Sequence, residues 1–459
     1  MTSVTDARAV PSRRFERYRG AAARHPHAAL LIGVIVAIAT EPLLEAGRES
    51  SSVAGAGSAA VLLVLRALVS GACLLVAWEG QRRLRLDRVL ACAGLLGVGW
   101  IVVHRLTDYA ADKDLEIYAS AGSSLIHGSY PGSEYPTGAV ALFGFEVFVG
   151  GDHPRTFHAL LMVAFHLATV AAIWSLRTRW SSWLAAFVAV WPMNAFHWEL
   201  RYDLAPTALL VVGLALAQRA RWSLSGVALG VGAALKWIPG LAFLVLAVWL
   251  LTRTPRRPAL PFAGGFLVTL AALTLPFLLW DYDAVLDAYR RQGDRGIMGE
   301  SFWYLPLRAI GVASSTPELL SVDVGVSKAL DTAVTLIQAI VVLGLLLLVP
   351  RLQHRSQAVA FSALVPATFL LTNRVFSAQF LVFLVALWAV AAALVVASAR
   401  EQLAVAMAAA VASTANAAIF PYNVWFAWEL ASAILFAFAF GLTGWLVVRS
   451  ARSAEVAPP

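Results

Sequence analysis

Apolar runs long enough to cross a bilayer, separated by short arginine-bearing loops, succeed one another from residue 28 to residue 448. Few folds are open to such a chain. Inside hydrocarbon every backbone N–H and C=O must find its partner within the structure, so spanning segments are helices or closed barrels, and apolar runs of this length are read as helices. Composition agrees: 60% of the residues are hydrophobic and 14% charged, with a mean hydropathy of +0.74, whereas soluble domains are about 45–50% apolar. The expected fold class is an all-α polytopic integral membrane protein. A net charge of +8 would suggest nucleic acid in a soluble chain, but here the basic residues flank apolar runs, where they set orientation. No nucleic-acid partner is implied. Cys73 and Cys92 lie inside apolar runs and read as core thiols, not as a disulfide framework or metal site.

The basic tail 1–27 places the start of the chain in the cytoplasm, and the run 28–46 reads as an uncleaved first helix. Runs 59–78 and 89–104 turn at Gln81-Arg82-Arg83-Leu84-Arg85, which puts the loop region 105–155 outside. The run 137–150 is too short to span at ~1.5 Å per residue and is expected to lie along the outer surface. Spans at 156–174, 182–196 and 204–217 follow. The run 224–251 returns Arg253, Arg256 and Arg257 to the cytoplasm only if it is broken at Lys236-Trp237-Ile238-Pro239-Gly240. Pro239 supplies the break, since it lacks an amide donor. Broken backbone at membrane depth requires a polar cavity, which Lys236 should line. Span 260–280 leads to a second external loop, 281–327, and spans 329–349, 358–371, 375–397, 403–419 and 424–448 complete a single domain, 28–448. The pattern predicts about fourteen transmembrane helices, short helices in the external loops, and a cytoplasmic tail 449–459. Arginine in large excess over lysine, with abundant alanine, suggests GC-rich coding and a bacterial plasma membrane.

The loop 105–137 carries Asp108, Asp112, Asp114, Glu116 and Glu134 among tyrosines and Tyr-Pro turns. Loops pinned between spans are where function concentrates. On the same side the pattern places Arg201, Lys236, Arg295, Glu300, Arg374 and Gln379. Carboxylates and cations on one face suit a reaction in which a base activates a hydroxyl while cations hold a phosphate leaving group. Nucleotide sugars are scarce outside the cytoplasm, so the donor expected there is a lipid-linked sugar phosphate. Other readings remain for single residues: Asp112 as a solvated loop charge, Arg201 and Asp203 as a mutual bridge, His158 and His166 as hydrogen-bonded core residues, and Trp303, Tyr304, Tyr422 and Trp425 as an interfacial aromatic belt.

Four short segments resemble glycosyltransferase family 87, polyprenyl-phosphate-mannose-dependent mannosyltransferases of the GT-C superfamily. They are Asp114-Leu115-Glu116-Ile117-Tyr118 with His127-Gly128-Ser129-Tyr130-Pro131 and Glu134-Tyr135-Pro136; Ala234-Leu235-Lys236-Trp237-Ile238-Pro239; Arg295-Gly296 to Glu300-Ser301; and Asn373 to Phe380. This chain departs from the family pattern at Thr137, Ala378, Phe380 and Arg374, and has Glu199, Arg201 and Asp203 where many members carry a Gln-Asn pair. The resemblance implies a GT-C-like fold and an inverting transfer of mannose from polyprenyl phosphate to a glycolipid or polysaccharide hydroxyl. Asp114 would be the general base. Asp108, Tyr118, Tyr135, Arg201, Asp203, Lys236, Arg295, Glu300, Arg374 and Gln379 would bind substrate. A polyprenyl-phosphate-arabinose donor and a transporter or lipid flippase are the alternatives. No cofactor is expected, although Asp112-Lys113-Asp114 fits an Asp-x-Asp pattern that could hold Mg²⁺ or Mn²⁺.

Overall fold

A computed structural model describes residues 24–48, 53–106, 113–195, 197, 200–253, 255–313, 326–422, 424 and 427–452. Among these residues there are helices and no strands. The first half comprises α1 (Pro26–Arg48), α2 (Val53–Glu79), α3 (Leu86–Leu106), α4 (Lys113–Ile126), α5 (Thr137–Gly150), α6 (Pro154–Trp174), α7 (Ser181–Val190), α8 (Leu204–Gln218) and α9 (Trp222–Leu235). The second comprises α10 (Ile238–Leu251), α11 (Ala259–Trp280), α12 (Tyr282–Asp294), α13 (Tyr304–Ala309), α14 (Lys328–Leu348), α15 (Arg355–Thr372), α16 (Leu381–Val395), α17 (Ala399–Ile419) and α18 (Trp428–Arg452).

Among the described residues nine helical segments are long and apolar enough to cross a membrane, consistent with a polytopic membrane protein. They coincide with α1, α2, α3, α6, α11, α14, α16, α17 and α18. The other predicted spans correspond to α15 and to the short apolar helices α7 to α10; α5, the run expected along the outer surface, falls in the same length class at 14 residues. A helix that is apolar on every side is either enclosed by protein or faces lipid. All of α16 and all of α7 except Ser182 is buried, and α16 packs against α6, α7, α8, α15, α17 and α18. By contrast α11 and α14 leave most of their surface outward, with Leu267, Val268, Leu279, Ile340 and Leu347 exposed.

Two predicted boundaries are corrected. The span expected at 182–196 ends at Val190 and passes into a 3₁₀ turn at Pro192–Asn194, because Pro192 cannot donate to the preceding turn. The span expected from 375 begins at Leu381 after a 3₁₀ turn, leaving Asn373 to Ser377 as a loop. The break at Lys236 is present: α9 ends at Leu235, Lys236 is extended, and Pro239 lies in the first turn of α10. The ends of α8, α9, α10, α15 and α17 meet in one region, where their unpaired backbone groups need a polar environment.

Close backbone approach holds α9 to α11. A Cβ on Gly226 would run into the Phe262 carbonyl oxygen, one on Gly230 would stand 2.7 Å from that of Phe266, and one on Gly265 would stand 2.5 Å from that of Ser223. This Gly-x-x-x-Gly face lets two apolar helices touch where no hydrophobic force separates protein from lipid. Gly226→Leu is expected to destabilise the protein by about 1–3 kcal/mol through overpacking, read as a lowered thermal midpoint in detergent. An unchanged midpoint would mean that the two helices separate at no cost.

Candidate active site

A cavity of about 1050 Å³ opens where those helix ends meet, lined by Asp114, Tyr118, Tyr135, Arg201, Lys236, Arg295, Glu300, Arg374 and Gln379 among others. Nine of the side chains singled out in the sequence thus share one wall system. Asp203 stands behind it, buried, and Asp108 lies outside the described residues. So does Asp112, which leaves the Asp-x-Asp pattern without a described second carboxylate.

The run Arg201-Tyr202-Asp203, just ahead of α8, distributes its charges to two different parts of the chain, the start of α4 and the break between α9 and α10. Arg201 Nε stands 3.2 Å from Asp114 Oδ2 at the start of α4. Asp203 Oδ1 takes the Lys236 ammonium at 2.5 Å. The expected Arg201–Asp203 bridge is therefore not formed. Each residue instead pairs across the chain, because Tyr202 between them is buried against Tyr118, Tyr135 and Phe143 and turns its neighbours apart. Lys236 also lies over the rings of Tyr202 (5.3 Å) and Phe380 (4.7 Å), apolar faces that attract a cation.

The second loop closes over this floor. Arg295 pairs with Glu134, and Gln292 Nε2 donates to the Glu134 carbonyl at 3.1 Å, so α12 is tied to the first loop. Arg374 donates to the Gly293 carbonyl at 2.5 Å, and Met298 N donates to the Arg374 carbonyl at 2.9 Å. Glu300 Oε2 accepts from Ala378 N at 3.2 Å, while Ser377 Oγ donates to Gln379 Oε1 at 2.6 Å. Glu134, Gln292, Trp237 and Asn373 also line the cavity, though the sequence assigns none of them a role. Glu134, Trp237 and Asn373 are legible as members of the segments singled out above, whereas Gln292 carries no local signal.

Burial pushes the Glu300 carboxyl up to about 8. Glu300 is therefore neutral at pH 7 and can donate a hydrogen bond. Burial also raises the Tyr118 and Tyr135 hydroxyls, Tyr135 further through the facing Asp114 and Glu134 carboxylates, so both remain donors. Counting the buried Asp203 that holds Lys236, four basic side chains meet three carboxylates besides Glu300, an excess that favours an anionic ligand. The N-terminal end of α10 opens on the same space and adds to that preference.

A carboxyl raised from about 4.5 to about 8 binds its proton more tightly in the folded state. Its contribution to stability is present at low pH and is lost as pH rises through that window. Glu300→Gln is expected to flatten the pH dependence of the thermal midpoint between those values and to raise the midpoint above pH 8. An unchanged pH profile would show that Glu300 titrates normally.

The aromatic-belt reading is corrected for Tyr304 and Tyr422, both buried: Tyr304 packs on Trp428, and Tyr422 donates to Glu41 Oε2 at 2.8 Å. Trp303 is partly buried and donates to the Thr372 carbonyl at 2.8 Å, and Trp425 lies outside the described residues. His158 and His166 are hydrogen-bonded core residues, His158 Nδ1 at 3.0 Å from Glu146 Oε2 and His166 Nε2 at 3.3 Å from the Ala189 carbonyl. No family model, no curated protein and no solved structure matches the chain.

Proposed function

We propose that the chain is an inverting membrane glycosyltransferase of GT-C type that moves a sugar, mannose first, from a polyprenyl phosphate to a glycolipid or glycan hydroxyl. The observation that carries this reading is the shared cavity, in which one carboxylate, Asp114, stands beside a set of cations that exceeds the ionised acids. Asp114 accepts the proton of the acceptor hydroxyl as its oxygen forms a bond to the anomeric carbon. The bond from that carbon to the phosphate oxygen breaks on the opposite face, and the electron pair leaves with the polyprenyl phosphate. Lys236, Arg201 and Arg374 neutralise the departing phosphate. A guanidinium has five donors, so Arg201 can hold Asp114 and a phosphate oxygen together. Protonated Glu300 and the two tyrosines serve sugar hydroxyls. On this reading α7 to α10 and α15 also cross, giving fourteen spans, with the cavity on the extracytoplasmic face of a bacterial plasma membrane and both termini cytoplasmic.

The test is transfer by the purified full chain from short-chain polyprenyl-phosphate mannose, with the arabinose donor alongside and release of polyprenyl phosphate as the readout. Release from one donor and not the other supports the reading and names the sugar. Neither release nor donor-dependent thermal stabilisation, with either lipid, would overturn it.

A further inference from the structure

A second polar cluster lies between the first three helices and the turn after α17. Glu41 and Glu45 stand one turn apart near the end of α1, Arg66 lies within α2, and His104 is in the last turn of α3; all are buried. Arg66 Nη2 meets Glu41 Oε2 at 2.7 Å, and Arg66 Nη1 donates to Tyr422 Oη at 2.9 Å. The Tyr422 hydroxyl donates in turn to the same Glu41 oxygen. With Oε2 held in this way, the other oxygen, Oε1, is fully buried and accepts no hydrogen bond. It faces His104 Nε2 at 3.5 Å, which stands 3.2 Å from Glu45 Oε1. The three atoms lie within 4.8 Å of one another.

We propose that Glu41, Glu45 and His104 bind a divalent transition-metal ion of the zinc class as a structural centre. An imidazole with two carboxylates is a donor set for such ions. A tetrahedral site with bonds of about 2.1 Å has edges of about 3.4 Å, and the two nitrogen–oxygen separations fall on either side of that edge. Arg66 and Tyr422 act as the outer shell that leaves a ligating carboxylate one oxygen to offer. The ion would fasten α1 and α3 to the turn that carries Tyr422. Two residues earlier Phe420 lines the large cavity, stacks on His197 and faces the Arg201 guanidinium at 5.8 Å.

The experiment is the metal content of untagged, detergent-purified protein by inductively coupled plasma mass spectrometry, followed by chelation and back-titration with Zn²⁺ and Mn²⁺. About one equivalent per chain is expected, with a thermal midpoint that falls about 5 °C on chelation and recovers with the ion. Glu45→Gln and His104→Gln should remove the response, while Glu116→Gln should keep it. Wild-type protein that holds no metal as purified, and whose midpoint is unmoved by either ion, would overturn the proposal. That outcome needs no variant to fold.

Discussion

The Asp114→Asn variant is expected to lose sugar transfer by about 10³-fold while keeping its affinity for the lipid donor. Asparagine has the size and shape of aspartate, and its amide oxygen can still accept from the Arg201 guanidinium, so the wall around α4 should stand. What it cannot do is take a proton. If the carboxylate acts as the base, the loss falls on turnover and leaves donor binding in place. The check is single-turnover transfer together with donor-dependent thermal stabilisation of the same preparation. Lys236→Met makes the contrast: if its charge holds phosphate as proposed, donor affinity should fall along with turnover, and Asp203 would be left buried without its ammonium. Full activity of Asp114→Asn would move the base elsewhere, to Asp108 or to Glu134 in the lining.

Arg66→Met is expected to destabilise the protein by about 3–5 kcal/mol, because it leaves the fully buried Glu41 carboxylate without its cation. The guanidinium also donates to Thr40 Oγ1 at 2.8 Å and lies 5.2 Å over the Trp100 ring. Methionine replaces part of that packing and none of the charge. The double variant Arg66→Met with Glu41→Gln should recover most of the loss, since neutral partners no longer need each other. Thermal midpoints of the two single variants and the double variant, in one detergent and at one zinc concentration, give the coupling. Additive losses would show that Arg66 and Glu41 act independently.

The helices and several of their breaks are legible in the amino-acid sequence for a local reason. A bilayer forces each spanning segment to satisfy its own backbone, so the length of an apolar run and the place of Pro239 carry most of the answer. The cavity residues are legible in part because Lys236 interrupts an apolar run, while Asp114, Arg295, Glu300 and Arg374 fall in or beside the polar loops between runs. Pairing is another matter. Arg201 and Asp203 look like partners in sequence, yet Arg201 serves Asp114 and Asp203 serves Lys236. Tyr422 looks like an interfacial aromatic, yet it closes a buried network with Glu41 and Arg66 from the opposite end of the chain.

The sequence by itself therefore determined the apolar runs, the helical class and the polar interruptions, since all three depend on composition over a short window. The tertiary structure alone decided which charges neutralise each other, that α16 is enclosed by protein while α11 and α14 face outward, and that Glu41, Glu45 and His104 converge. In a medium of low polarity a charge takes whichever opposite charge packing brings within a few ångströms. That choice is made by helices far apart in the chain.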